Sequence, residues 1–194
     1  MKVLGISGSM RKEGNTSLLV QKILEYVDAE GCSEIETEFI SLAGMSIAPC
    51  TGCEKCRETK WCVLPEDDWE GVVNKIIDCD LLVVGSPTYY FDVCGHLKNF
   101  IDRTYSVLHD RKLAGRHAVV VSVCAERGME HTLKTLEGFV NVHEMAYIGC
   151  VGGKGYAAGD VLEDNRAISK AKEVAGKITG LLREPKVNDP RLKS

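Results

Sequence analysis

Four cysteines fall within thirteen residues of this chain, Cys50, Cys53, Cys56 and Cys62, in the spacing C-x2-C-x2-C-x5-C. Thiolates are soft donors that select iron–sulfur clusters, zinc or copper(I). Cysteines at steps of three wrap the backbone around a bulky centre, and the opening run matches the ligand spacing of [4Fe–4S] ferredoxins. In two-cluster ferredoxins the last cysteine of such a run precedes proline and serves the other cluster. Here Cys62 precedes Val63, so all four thiols can serve one centre. Structural zinc also takes four cysteines, but usually as two knuckles divided by a longer insert. A single ion would also draw the sulfurs closer together than a cubic cluster does. Disulfide pairing finds no support, because nothing in the sequence points to an oxidising compartment.

A second polar stretch, Ser7-Gly8-Ser9-Met10-Arg11-Lys12-Glu13-Gly14-Asn15-Thr16, follows the first apolar run. Hydroxyls, glycines and an arginine at a helix start make a phosphate cradle, since free N–H groups and the helix dipole favour an anion. The Walker pattern G-x-x-x-x-G-K-S/T and the dinucleotide pattern G-x-G-x-x-G are both absent. No acidic residue ends the second strand to hold a ribose, so a monophosphate such as that of FMN fits best. The competing reading is a plain capped turn with Asn15 or Thr16 as N-cap.

Two further loops extend this chemistry. Gly85-Ser86-Pro87-Thr88-Tyr89-Tyr90-Phe91 ends the third apolar run, where proline fixes the backbone and the aromatics offer a flat wall for a tricyclic ring. Cys124-Ala125-Glu126-Arg127-Gly128-Met129 follows the fourth run and can close over a ring edge. Gly152-Gly153-Lys154-Gly155 reads as a surface loop. His96, His109, His117, His131 and His143 form no hydrolytic pattern with serine or carboxylate and read as ordinary helix or surface residues. Cys32, Cys79, Cys94, Cys124 and Cys150 read as small core hydrophobes, with Cys94 and Cys124 close to the ligand-facing loops.

The chain of 194 residues suits one domain with a sizeable core, or one domain carrying an insertion. Its apolar fraction of 44% and charged fraction of 27% are ordinary for a globular protein. A net charge of −4 argues against nucleic acid as a partner. No apolar run approaches membrane-spanning length, and the first apolar stretch is too brief for a signal peptide. The expectation is a soluble, cytoplasmic protein.

Apolar runs at 2–7, 35–40, 81–86, 118–123 and 145–151 predict strands, the second alternating as an edge strand does. Helical spacing predicts helices at 15–29, 67–78, 95–108, 130–142 and 165–182. Five strands alternating with five helices give an α/β doubly wound, flavodoxin-like parallel sheet in the order 2-1-3-4-5. Residues 1–183 then form one domain, 42–65 a cysteine-rich insertion after strand two, and 184–194 a polar tail.

With these motifs in place, the chain resembles the iron–sulfur flavoprotein family, a branch of the NADPH-dependent FMN reductase-like flavodoxin superfamily. The resemblance spans roughly residues 1–180. It rests on Ser7-Gly8-Ser9-x-Arg11 with Asn15-Thr16, on Ser86-Pro87-Thr88-Tyr89-Tyr90 with Leu97-Lys98-x-Phe100-Ile101-Asp102-Arg103, and on the cysteine run. It implies that Ser7, Ser9, Arg11, Asn15 and Thr16 hold the FMN phosphate, and that Pro87, Thr88, Tyr89 and Tyr90 line the isoalloxazine beside Cys124. It also implies a [4Fe–4S] cluster on Cys50, Cys53, Cys56 and Cys62. Further implications are a homodimer or homotetramer, a ferredoxin-like electron donor and a small acceptor such as oxygen or peroxide. One departure is that Glu126 and Arg127 stand where FMN reductases commonly carry several glycines, the place that would face NAD(P)H. The alternatives are an NAD(P)H-dependent FMN or quinone reductase with structural zinc, and a cluster-based redox sensor.

Overall fold

The computed structural model describes residues 1–30 and 34–181; Cys32, Leu182 and the tail expected at 184–194 lie outside the described residues. The strands are β1 (Lys2–Ser7), β2 (Glu36–Ser41), β3 (Leu81–Tyr89), the two-residue β4 (Asp92–Val93), β5 (His117–Cys124) and β6 (Ala146–Lys154). Apart from β4, which pairs antiparallel with the end of β3, they run parallel in the order β2-β1-β3-β5-β6. That is the doubly wound order the apolar pattern predicts. The helices are α1 (Asn15–Ala29), α2 (Cys56–Thr59), α3 (Asp68–Asp78), α4 (Gly95–Arg103), α5 (Tyr105–Leu108), α6 (Met129–Val142) and α7 (Asn165–Gly180), with a 3-10 turn at Asp160–Glu163.

The continuous apolar character of the strands follows from burial on both faces. In β3, Leu81 and Val83 join Leu19, Ile23, Val174 and Ile178 of α1 and α7 on one face. Leu82 and Val84 join Trp69, Ile76, Leu97, Phe100 and Leu136 of α3, α4 and α6 on the other. Each fully buried aliphatic side chain stabilises this packing by about 1.5–3 kcal/mol. The edge strand β2 alternates, leaving Glu36 and Glu38 on its open side.

Four local expectations are corrected. The strand predicted to stop at Ser86 continues to Tyr89, with Pro87 opposite Val123 of β5. Pairing with β1 has already ended at Gly85, so the missing proline N–H faces no strand on that side. The helix predicted over 95–108 is two helices broken at Thr104, whose hydroxyl donates to Ile101 O at 2.6 Å and meets His143 Nε2 at 2.9 Å. His143, expected to be ordinary, is buried here, and burial pushes its pKa down to about 4. Gly152 and Gly153 belong to β6 instead of a surface loop, because Met129 and Val161 pack where their Cβ atoms would stand.

Candidate functional site

Helix α1 begins without a side-chain cap. Gly14 is its N-cap, extended at φ −74° and ψ 158°, so no side chain competes for the first N–H groups. The loop before it closes on itself: Ser9 Oγ accepts from Arg11 N at 3.2 Å, and Arg11 O from Gly14 N at 3.0 Å. A Cβ on Gly14 would stand 2.8 Å from Ser9 Oγ, so only glycine permits this closure. The competing reading, a turn capped by Asn15 or Thr16, does not describe this helix start. The result is a cavity of about 240 Å3 with Ser9, Arg11, Gly14, Asn15 and Thr16 on one wall. Its chemistry suits an anion beside a helix N-terminus.

Not every predicted phosphate ligand faces that cavity. Ser7 is fully buried beneath the loop, its Oγ accepting from Ser9 N at 3.3 Å and Ser17 Oγ at 2.9 Å. The Asn15 amide is engaged elsewhere. Its Nδ2 donates to Ala157 O at 2.7 Å, and its Oδ1 accepts from Gly159 N at 2.9 Å and Val161 N at 3.4 Å. This tie carries the loop after β6 onto the cavity and brings Tyr156 to its wall. Sequence reading missed Tyr156, since an aromatic in a glycine-rich connection carries no spacing signal.

Opposite the cradle stand Pro87, Thr88 and Tyr89, with Val123 and Ala125 beside them. Thr88 Oγ1 lies 3.0 Å from Ser122 Oγ and accepts from Thr132 Oγ1 at 2.9 Å, locking the end of β3 to β5 and α6. Tyr90 and Phe91 form a two-residue hairpin turn with φ of +49° and +65°, a place where Asn-Gly is favoured. Tyr90 is fully exposed and off the cavity wall, whereas Phe91 packs on Gly128 and edge-on to His131. Cys124 is buried, and desolvation pushes its thiol pKa up; its neighbours, not its sulfur, face the cavity.

The cysteine run lies between β2 and α3. Asp67, the N-cap of α3, anchors it by accepting from Ala48 N at 2.9 Å and Trp69 N at 3.0 Å and by pairing with Arg103. Burial works against the Asp67 charge, but these donors together hold its pKa below the usual carboxylate value. Trp61 stands edge-on to Trp69, ring centroids 5.6 Å apart, fixing the far end of the run. Cys50, Cys53, Cys56 and Cys62 are all free thiols and line one pocket of about 120 Å3, closed by Arg103, Tyr105 and Ser106. The Lys55 backbone N–H holds the Cys53 pKa down. Burial pushes the Cys56 pKa up, and Cys53, Cys50 and Cys62 add to that. The four thiols share one pocket, and among the described residues no group of three His, Cys, Asp or Glu is already drawn together to hold a metal ion. Four thiols on one pocket wall are a soft, all-sulfur donor set, the kind of donor that an iron–sulfur cluster takes.

Sequence reading also missed His109, whose Nε2 lies 3.6 Å from Cys56 Sγ. Nothing in its spacing from the cysteines marks it. The two pockets share no wall residue and stand at opposite ends of α4. Helix α4 is nine residues, about 13 Å, long: its N-cap Cys94 donates from Sγ to Gly8 O of the phosphate loop, and its last residues, Asp102 and Arg103, line the cysteine pocket. A third depression, walled by Lys2, Glu36, Glu38 and Lys75, gathers none of these groups. No described helix is long and apolar enough to cross a membrane.

Comparison with known proteins gives a consistent picture. A family description, NADPH-dependent FMN reductase, matches residues 1–155. An iron–sulfur flavoprotein of Methanocaldococcus jannaschii is 36% identical over 193 residues, covering 94% of this chain and 98% of that protein. An iron–sulfur flavoprotein of Methanosarcina thermophila is 32% identical, covering 77% of this chain and 78% of its own. Among solved structures, an NADH:FMN oxidoreductase in its apo form superposes with a TM-score of 0.68 at 18% identity, covering 100% of this chain and 99% of that one. A flavone reductase superposes at 0.75 with 20% identity, covering 95% and 64%. Both structural likenesses speak to the fold.

Proposed function

The chain belongs to the NADPH-dependent FMN reductase family and is an oxidoreductase; we propose that it moves electrons between an iron–sulfur cluster and FMN. The observation that carries this reading is four free thiols on one pocket wall, at the other end of α4 from an uncapped helix start. Bound together, a [4Fe–4S] cluster supplies one-electron transfer and FMN accepts one or two electrons.

The residues of the chain then divide the work. Arg11, Ser9 and Thr16, with the first N–H groups of α1, hold the phosphate. Pro87, Thr88 and Tyr89 bound the ring, and the Ser122–Thr88–Thr132 hydroxyl chain keeps that wall fixed. Cys50, Cys53, Cys56 and Cys62 hold the cluster, and the Asp67–Arg103 pair holds the segment that carries them. The reading includes a ferredoxin-like donor, a small acceptor such as oxygen or peroxide, and a homodimer or homotetramer in the cytoplasm.

Anaerobic purification with analysis of iron, sulfide, zinc and FMN tests it. Four irons and four sulfides with one FMN per chain are expected from the proposed cofactors. Stoichiometric zinc without sulfide would instead make the protein a flavin reductase with a structural metal, and a cluster without FMN would make it a redox sensor.

A further inference from the structure

Cys56 is held differently from its three companions. His109 Nε2 lies 3.6 Å from its Sγ. Tyr105 meets the His109 ring edge-on, centroids 4.7 Å apart at 74°, and so fixes the ring's plane. Arg57, the residue after Cys56 on α2, donates from Nε to Tyr105 Oη at 3.4 Å and pairs with Glu54 at 3.3 Å. The contacts close a ring from α2 through Tyr105 to His109 and back to Cys56. A helix turn and its neighbour thus present one imidazole edge to one thiol.

We propose that His109 is a positioning residue of the iron–sulfur centre, donating its Nε2–H to the Cys56 sulfur and raising the reduction potential of that centre. The inference rests on the cluster reading given above. A metal-bound thiolate only accepts hydrogen bonds, so the nitrogen facing it must carry the hydrogen. Reduction adds one electron and makes the sulfurs more negative. A fixed donor therefore stabilises the reduced state more than the oxidised one, and no proton changes place.

The test is an anaerobic redox titration of the reconstituted protein by absorbance, with iron and sulfide counted in each sample. His109→Phe keeps a ring against Tyr105 and removes the N–H; His109→Gln keeps a side-chain N–H. His109→Phe is expected to shift the cluster's equilibrium about tenfold toward the oxidised form, which is 59 mV for a one-electron couple. Iron, sulfide and the FMN potential should stay as in the parent, and His109→Gln should return the cluster potential most of the way. Cluster loss in His109→Phe with retention in His109→Gln would equally mark the N–H as the required feature. An unshifted potential in His109→Phe overturns the inference, and so does loss of the cluster from both variants, which would make His109 a packing residue. If the parent itself takes up no iron and sulfide, the cluster reading fails first and carries this inference with it.

Discussion

Arg103, the last residue of α4, makes a buried ion pair with Asp67, the N-cap of α3, and so ties the helix that follows the cysteine run to the helix whose end closes its pocket. The Arg103 guanidinium also lies 4.7 Å from the centroid of the Trp69 ring. Removing one partner of a buried pair leaves a lone charge, at a cost of about 3–5 kcal/mol. Arg103→Ala should therefore lower stability by about that amount in urea unfolding and reduce cluster retention. Asp67 adds a pH signature. Its folded pKa lies below the unfolded value of 3.8, so its stabilisation is present above that value and is lost as pH falls through the folded pKa. Parent protein should lose stability steeply below about pH 4, and Asp67→Asn should flatten that slope.

Arg11→Ala should weaken FMN binding about ten- to a hundredfold, from loss of a charge-assisted hydrogen bond worth about 1.5–3 kcal/mol. The cysteine pocket is remote, so iron and sulfide should not change. Titration of flavin-free protein with FMN checks this, and an unchanged affinity removes Arg11 from the cradle.

Asn15→Ala tests a different role at the same helix start. It deletes three hydrogen bonds to the loop after β6, each worth about 0.5–1.5 kcal/mol net. Thermal stability should fall, and proteolysis should open first near residues 155–161. FMN affinity should fall through the displaced Tyr156. A variant with parental stability and a selective affinity loss would mark Asn15 as a direct ligand.

Much of this arrangement is legible in the sequence because it depends on local patterns. Continuous apolar strands require a sheet covered on both faces, and the serine–glycine–arginine loop before a helix suits an open N-terminus, which Gly14 as N-cap then decides against a capped turn. What escapes is set by contacts distant in sequence. Asn15 looks like a phosphate ligand until the loop at 157–161 is folded onto it. His109 stands 53 residues from Cys56 and is brought beside it by the break between α4 and α5 at Thr104. Pro87 reads as a strand end, but whether its missing N–H matters depends on where β1 stops. Gly152 and Gly153 resemble a loose loop, yet they are small because Met129 and Val161 cover them.

The most direct test of the central claim is the iron and sulfide content of Cys53→Ala, measured beside its FMN affinity after anaerobic reconstitution. If all four thiols serve one cluster, this exposed ligand cannot be spared. The variant should then lose iron and sulfide together, while its separate cradle still binds FMN as the parent does. Reduction of the flavin by a one-electron protein donor should fall steeply, and reduction by dithionite should persist. Iron and sulfide equal to the parent's would contradict the account, since Cys53 would then hold no corner of any cluster.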